Sequence, residues 1–170
     1  MGKIGIGVIG GGYMGKAHSV AFAAVASVFD TALRPELISI CASSTESAER
    51  YRKAYGFEKA THDWRELVAD PAVEAVIIDH TDGRGFCSGG DIAFLRASAM
   101  EDGGVSGRKF FHDEYQLNHL LFTYPKPVIA FMDGITMGGG VGISQPARLR
   151  VATENTRFAM PETGIGLFPD

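Results

Sequence analysis

A β-branched run, Lys3 to Ile9, ends in Gly10-Gly11-Gly12 and gives way at once to an Ala-rich stretch, Tyr13 to about Phe29. A short apolar run that stops at glycines reads as a buried strand, and the stretch behind it reads as a helix. Leu37 to Ala42 is a second strand. Ser44 can cap the next helix, with Glu46 and Glu49 in its first turns; that helix runs to about Tyr55 and stops at Gly56. Asp63 to Ala69 is a short helix and Val73 to Asp79 a third strand. This βαβαβ order predicts an α/β fold: a mostly parallel sheet with helices on both faces.

The alternation continues. Gly89 to about Met100 is expected to be helical, Glu101 to Gly107 a polar loop, and Arg108 to Phe122 a helix with Phe111, Tyr115 and Leu121 on helical spacing. Pro127 to Met132 is a strand, Gly138 to Ser144 opens another helix, and Leu149–Thr153 and Arg157–Ala159 are short strands around a turn at Glu154-Asn155. No Pro/Gly/Ser linker interrupts the chain. The seam falls within Asp70 to Asp79, dividing a unit at 1–78 from one at 79–170; strand order lets both share one continuous sheet.

The net charge of −4 leaves no basic footprint for nucleic acid. No apolar run approaches the ~18 residues of a membrane span, so the expectation is a soluble, cytoplasmic chain with no membrane partner. Cys41 and Cys87 lack metal spacing and read as reduced thiols. His18, His62, His80, His112 and His119 also lack metal spacing and read as surface or packing residues, so no metal is expected. Asp91 reads as a cap or turn residue.

Gly10-x-Gly12-x-x-Gly15 lies between a strand and a helix, the context a dinucleotide fingerprint needs. The first glycine allows the turn, the second the approach of a pyrophosphate, and the third helix–strand packing. The helix N-terminus offers N–H groups and partial positive charge to the anion. A turn without a ligand is the bland alternative. The second strand ends in Ala42-Ser43-Ser44, without the carboxylate that usually holds the NAD ribose. NADP is therefore at least as well suited as NAD, although no Arg stands directly there.

The stretches GVIGGGYMGKAH, LISICASS and DWRELVADPAVEAVII resemble the first β-α-β-α-β unit of the Gfo/Idh/MocA oxidoreductases, over roughly residues 3 to 78. The resemblance implies nucleotide binding. The Glu-Lys-Pro turn that carries that family's catalytic lysine has no counterpart here.

Two later glycine-rich turns, at Ser88-Gly89-Gly90 and Gly138-Gly139-Gly140, sit at strand–helix junctions. Such turns can supply the paired N–H donors that thioester chemistry aims at an oxyanion. Lys126-Pro127-x-x-Ala130, Gly134-x-x-x-Gly138-Gly139-Gly140 and Phe158-Ala159-Met160-Pro161-Glu162 resemble the crotonase (enoyl-CoA hydratase/isomerase) superfamily, over roughly Val73 to Asp170. GFCSGGDI, EYQLN, GITMGGGVG, RVATE and FAMPETGIGLFPD are most similar to its 3-hydroxyisobutyryl-CoA hydrolase branch.

The resemblance implies roles. Gly139 and the backbone near Ser88 would donate to the oxyanion. Glu162 would attack the thioester or activate water, Asp170 would position the water or the substrate hydroxyl, and Glu114 would contact substrate. Hydratases carry a catalytic Glu where Gly142 stands, so the hydrolase pattern fits and the hydratase pattern does not. Apart from the resemblance, Glu162 follows Pro161 in an apolar stretch where desolvation can favour a base, though a capping or surface carboxylate reads equally well. The family's opening strands, its first helix and whatever follows Asp170 have no counterpart in this stretch. Three functions stand side by side: an acyl-CoA thioester hydrolase, inactive if those parts are indispensable; an NAD(P)-binding module; and an engineered or artefactual chimera without activity. The expected ligands are small, an acyl-CoA or a dinucleotide; oligomeric state is open.

Overall fold

The computed structural model describes residues 2–80 and 85–169. Strand β1 (Gly2–Ile9), helix α1 (Tyr13–Val28), strand β2 (Leu33–Cys41), helix α2 (Thr45–Tyr55), strand β3 (Lys59–Thr61), helix α3 (Trp64–Ala69) and strand β4 (Ala75–Ile78) make up the first part. The second part holds α4 (Ile92–Glu101), α5 (Val105–Thr123), β5 (Val128–Met132), β6 (Ile135–Met137), α6 (Gly139–Ser144), β7 (Leu149–Ala152), β8 (Arg157–Ala159) and a 3-10 turn at Glu162–Ile165. Six strands form one sheet in the order β3-β2-β1-β4-β5-β7, with every pairing parallel. The sheet passes through the seam without a break, because β4 hydrogen-bonds to β1 on one side and β5 on the other.

Alternation along the strands loads both faces. Ile6, Val8, Ile40, Ala75 and Ile77 form one core, covered by Phe22 of α1 and Tyr51 and Tyr55 of α2. Val73, Val76, Cys41 and Ile38 form the other with Leu67 of α3. Ile38 joins Cys41 there because the β1–β2 register slips by one residue after Ile6. Burying side chains such as Val8, Ile40 and Ile77 completely stabilises the fold by roughly 1.5–3 kcal/mol each. The Ile/Gly alternation in β1 has a packing reason: a methyl group on Gly7 would meet Leu67 Cδ2 and Val73 Cγ1 at 2.7 Å. Glycine there lets α3 settle directly on the sheet.

The structure adjusts several expectations. Helix α5 starts at Val105 rather than Arg108, because the Asp102 carboxylate accepts the N–H groups of Val105 (2.8 Å) and Ser106 (3.1 Å). The polar loop therefore shrinks to 102–104. Strand β2 starts at Leu33 and accommodates Pro35, which lies beyond the reach of β3, whose pairing covers only Ser39–Cys41. Strands β3 and β6, of three residues each, are not anticipated by the sequence pattern. The two strands around Glu154-Asn155 part company: β7 joins the large sheet beside β5, and β8 pairs with β6 in a second, small sheet. Among the described residues no helix is long and apolar enough to cross a membrane.

Candidate functional site

The small sheet builds the site. Strands β6 and β8 run parallel, and Cys87 bridges to Thr136 in parallel on the other side of β6. Cys87 N–H donates to Ile135 O (3.0 Å), Met137 N–H to Cys87 O (2.9 Å), and Gly138 N–H to Ala159 O (3.2 Å). Parallel strands release their following residues at one common edge. Here those residues are Ser88-Gly89, Gly138-Gly139 and Pro161-Glu162.

The bends touch. A methyl group on Gly89 would meet Gly139 N at 3.0 Å, and one on Gly138 would meet Glu162 Oε1 at 2.9 Å. Gly138 has φ +53°, a conformation that excludes most side chains, and it turns the chain into α6. Ser88, Glu114, Gly139 and Glu162 line one cavity of about 460 Å³. Its other wall is apolar, with Ile92 and Leu95 of α4 and Phe110, Phe111 and Tyr115 of α5. The rings support one another, Phe94 edge-on to Phe110 at 6.2 Å and Phe111 stacked on Tyr115 at 6.2 Å. Phe111 and Tyr115 thus line the cavity rather than the core that their helical spacing suggests; Leu121 of the same helix does pack against the core.

Two properties make the edge chemically capable. Among the described residues the amide hydrogens of Ser88 and Gly139 have no hydrogen-bond partner. Glu162 Oε2 is fully buried and also lacks a partner among the described residues. An orphaned buried carboxylate oxygen is costly, and such groups concentrate where chemistry uses them. Glu162 opens the 3-10 turn and does not cap a helix. Asp170 lies outside the described residues.

Sequence reasoning overlooked two features. One is β6, whose presence brings Gly139 beside Ser88; the glycine turn follows β6 and not β5. The other is Asn118, whose amide nitrogen would lie 3.1 Å from a methyl group on Gly142 and whose Oδ1 is buried without a partner among the described residues. Its only sequence signal was its place in EYQLN. Asp91 is a cap, as expected, accepting from Ala93 and Phe94 N–H at 2.9 and 3.2 Å.

The Gly10–Gly15 turn forms a second candidate site, at the carboxyl edge where β1 adjoins β4 and the strand order reverses. Ligands of open α/β sheets bind at such points. Gly10 takes φ +104° and donates to Cys41 O at 2.9 Å. A methyl group on Gly15 would run into the Gly10 carbonyl. Helix α1 begins after Gly12 with no side-chain cap and no acidic residue in its first turn, leaving its amide end open to an anion. These features fit a dinucleotide pyrophosphate. Helix α2 flanks the turn: Tyr55 OH donates to Gly11 O at 2.9 Å, the Tyr51 ring lies on Gly11, and the Arg50 guanidinium stands 5.0 Å over that ring. This cation, the sixth residue of Ser44-capped α2, was hidden in the sequence by its distance from the end of β2. Ser44 Oγ accepts from Ser47 N–H at 3.2 Å, as its capping role required.

The chain matches two family models, enoyl-CoA hydratase/isomerase over residues 56–170 and the oxidoreductase family with an NAD-binding Rossmann fold over residues 4–93. It is 52% identical over 111 residues to the mitochondrial 3-hydroxyisobutyryl-CoA hydrolase of Xenopus tropicalis, a match covering 63% of this chain and 27% of the relative. A solved carnitinyl-CoA dehydratase from Mycobacterium thermoresistibile superposes with a TM-score of 0.58 at 45% identity, covering 62% of this chain and 31% of that one. An NAD-binding oxidoreductase from Klebsiella pneumoniae superposes with a TM-score of 0.57 at 25% identity, covering 96% of this chain and 35% of that one. The chain spans about a quarter of the length of the curated relative.

Proposed function

Because this chain belongs to the enoyl-CoA hydratase/isomerase family through residues 56–170 and to the NAD-binding Rossmann oxidoreductase family through residues 4–93, we propose that its chemistry is hydrolysis of an acyl-CoA thioester at the Ser88–Gly139–Glu162 cavity. The observation that carries this reading is that Ser88, Gly139 and Glu162 line a single cavity, with two backbone donors and one buried carboxylate oxygen that have no partner among the described residues. The acyl carbonyl sits between the Ser88 and Gly139 N–H groups. Glu162 takes a proton from water as the oxygen attacks the carbonyl carbon, and the two amides hold the oxyanion. Removing one such donor from an enzyme costs about 2.7–4 kcal/mol, so the pair dominates the barrier. The carbon–sulfur bond then breaks, the proton on Glu162 passes to the CoA sulfur, and the products are a carboxylic acid and CoA. Direct attack by Glu162 on the thioester gives the same products through an anhydride. Glu114, against Gly139, orients the acyl group, and Asp170 aligns the water or a substrate hydroxyl.

A second reading rests on the Gly10–Gly15 turn: binding of NAD or NADP. Gly10, Gly12 and Gly15 would hold the pyrophosphate, and Arg50 lies on the flank where a 2′-phosphate would need a cation. The nucleotide would supply hydride chemistry, for which the described residues near the turn offer no lysine of the family type.

One experiment separates the readings. The melting midpoint is followed while NADH, NADPH and 3-hydroxyisobutyryl-CoA are each titrated. A ligand at about a hundred times its Kd stabilises by about 2.7 kcal/mol. A response to the CoA thioester, with hydrolysis that is lost in Glu162→Gln, supports the thioesterase; a response to a nucleotide alone overturns it. No response to any of the three favours the chimera without activity.

A further inference from the structure

A second cavity, of about 260 Å³, lies on the α3/α5 face of the large sheet. Its floor is Ile9, Val76 and Ile78, and its walls are Trp64 of α3 and Leu117 and Leu121 of α5. It exists because one wall comes from the first part of the chain and the other from the second, across the sheet they share. We propose that this cavity is a binding site for a small uncharged hydrocarbon group, the size of a bicyclic aromatic ring or a short aliphatic chain.

The lining decides the ligand class. Among the described residues no ionised side chain lines the cavity. Two lining groups have a polar end, the indole N–H of Trp64 and the hydroxyl of Tyr124; the hydroxyl is spent on Val68 O at 2.5 Å, and Lys126 points its ammonium at Val68 O and Asp70 O instead, at 3.1 and 2.6 Å. A charged or strongly hydrogen-bonding ligand would lose its hydration there and gain at most the single indole N–H in return. An apolar cavity of about 150 Å³ elsewhere stays dry and takes up benzene, so a volume of 260 Å³ admits a correspondingly larger hydrocarbon. The site is separate from the thioester cavity: the two share no lining residue, and the proposal stands whether or not thioester hydrolysis does.

Methyl-resolved NMR of the intact chain tests it with naphthalene as the probe and naphthalene-2-sulfonate as the charged control. Naphthalene should give saturable shifts at the methyls of Ile9, Ile78, Leu117 and Leu121 and at the indole N–H of Trp64, the sole tryptophan. Ile92, Leu95 and Ile165 around the thioester cavity should stay in place, and the sulfonate should shift nothing. Leu117→Phe, which fills the cavity, should raise the Kd by roughly tenfold or more, since a filled apolar site repacks poorly around a second ring. Shifts confined to Ile92, Leu95 and Ile165 would place the probe in the other cavity and overturn the proposal. So would the absence of saturation, the signature of a packing gap only, or line-broadening that tracks protein concentration, the signature of self-association. The localisation uses the unaltered chain, so poor folding of the variant would not protect the idea.

Discussion

Glu114 and Gly139 touch: a methyl group on Gly139 would meet Glu114 Oε1 at 2.5 Å. One residue belongs to α5 and the other to the first turn of α6, so the contact sets a carboxylate against the backbone proposed as an oxyanion donor. Gly139→Ala must push Glu114 aside or tilt the bend. A displacement of about 1 Å can cost on the order of 10²-fold in rate. Acyl-CoA hydrolysis by Gly139→Ala should fall by that order, measured as kcat from thiol release. The melting point of the double variant Gly139→Ala/Glu114→Ala should exceed that of Gly139→Ala alone, because the clash is gone. Equal melting points would show that the contact is not tight.

His18 Nε2 lies 2.8 Å from Asp79 Oδ2, and the Asp79 side chain is 1% exposed. His18 also sits on the Phe131 ring, with centroids 4.0 Å apart. This histidine is a packing residue with a buried partner, as its lack of metal spacing suggested. Removing it leaves a carboxylate sealed at the end of β4. His18→Ala should destabilise the fold by about 3–5 kcal/mol, whereas replacing both partners with apolar residues should cost clearly less. Urea denaturation of the three variants measures this. A single variant no worse than the double would show that Asp79 is not dependent on the pair.

The Asp102 carboxyl is held well below its usual range, first by the Ser106 and Ser98 hydroxyls and then by backbone N–H groups of Ser106 and Val105. A carboxylate whose pKa is depressed on folding stabilises the fold above its unfolded pKa of about 3.9 and loses that contribution as pH falls through the folded value. The corner between α4 and α5 should therefore loosen progressively below about pH 4. Amide exchange at Val105 and Ser106 should rise in acid in the unaltered chain. In Asp102→Asn that acid dependence should be absent. The group is solvent-exposed, so the effect is local.

Gly15→Ala drives a methyl group into the Gly10 carbonyl and so reshapes the turn. NADH or NADPH should then give no thermal stabilisation, while the response to an acyl-CoA should be unchanged. Loss of both responses would mean that Gly15 supports the whole sheet rather than the turn alone.

Much of the architecture was legible because it is written in local chemistry. Ser44 at the start of α2, Gly56 at its end and Asp91 before α4 each cap a helix with backbone or side-chain groups a few residues away. The β-branched run that stops at Gly10 announced β1, and the short helical stretch from Asp63 to Ala69 announced α3. The misses have equally physical causes. Val105 was read as loop because its cap, Asp102, works through a bridge that also recruits Ser98 (2.7 Å). Strands β3 and β6 are held by neighbours some 20 residues or more away in sequence, and neither adjoins the turn at Glu154-Asn155 that marked β8.

Residue order alone settled the βα alternation and the glycine turns, since each is a matter of backbone preference or side-chain type within one or two turns of chain. Tertiary structure decided which of these meet. The small parallel sheet of Cys87, β6 and β8 delivers Ser88, Gly139 and Glu162 to one edge, and the shared large sheet opens a hydrocarbon-lined cavity between α3 and α5. Both depend on hydrogen bonds and contacts between segments roughly 20 to 60 residues apart, whose closure entropy only the whole folded core offsets.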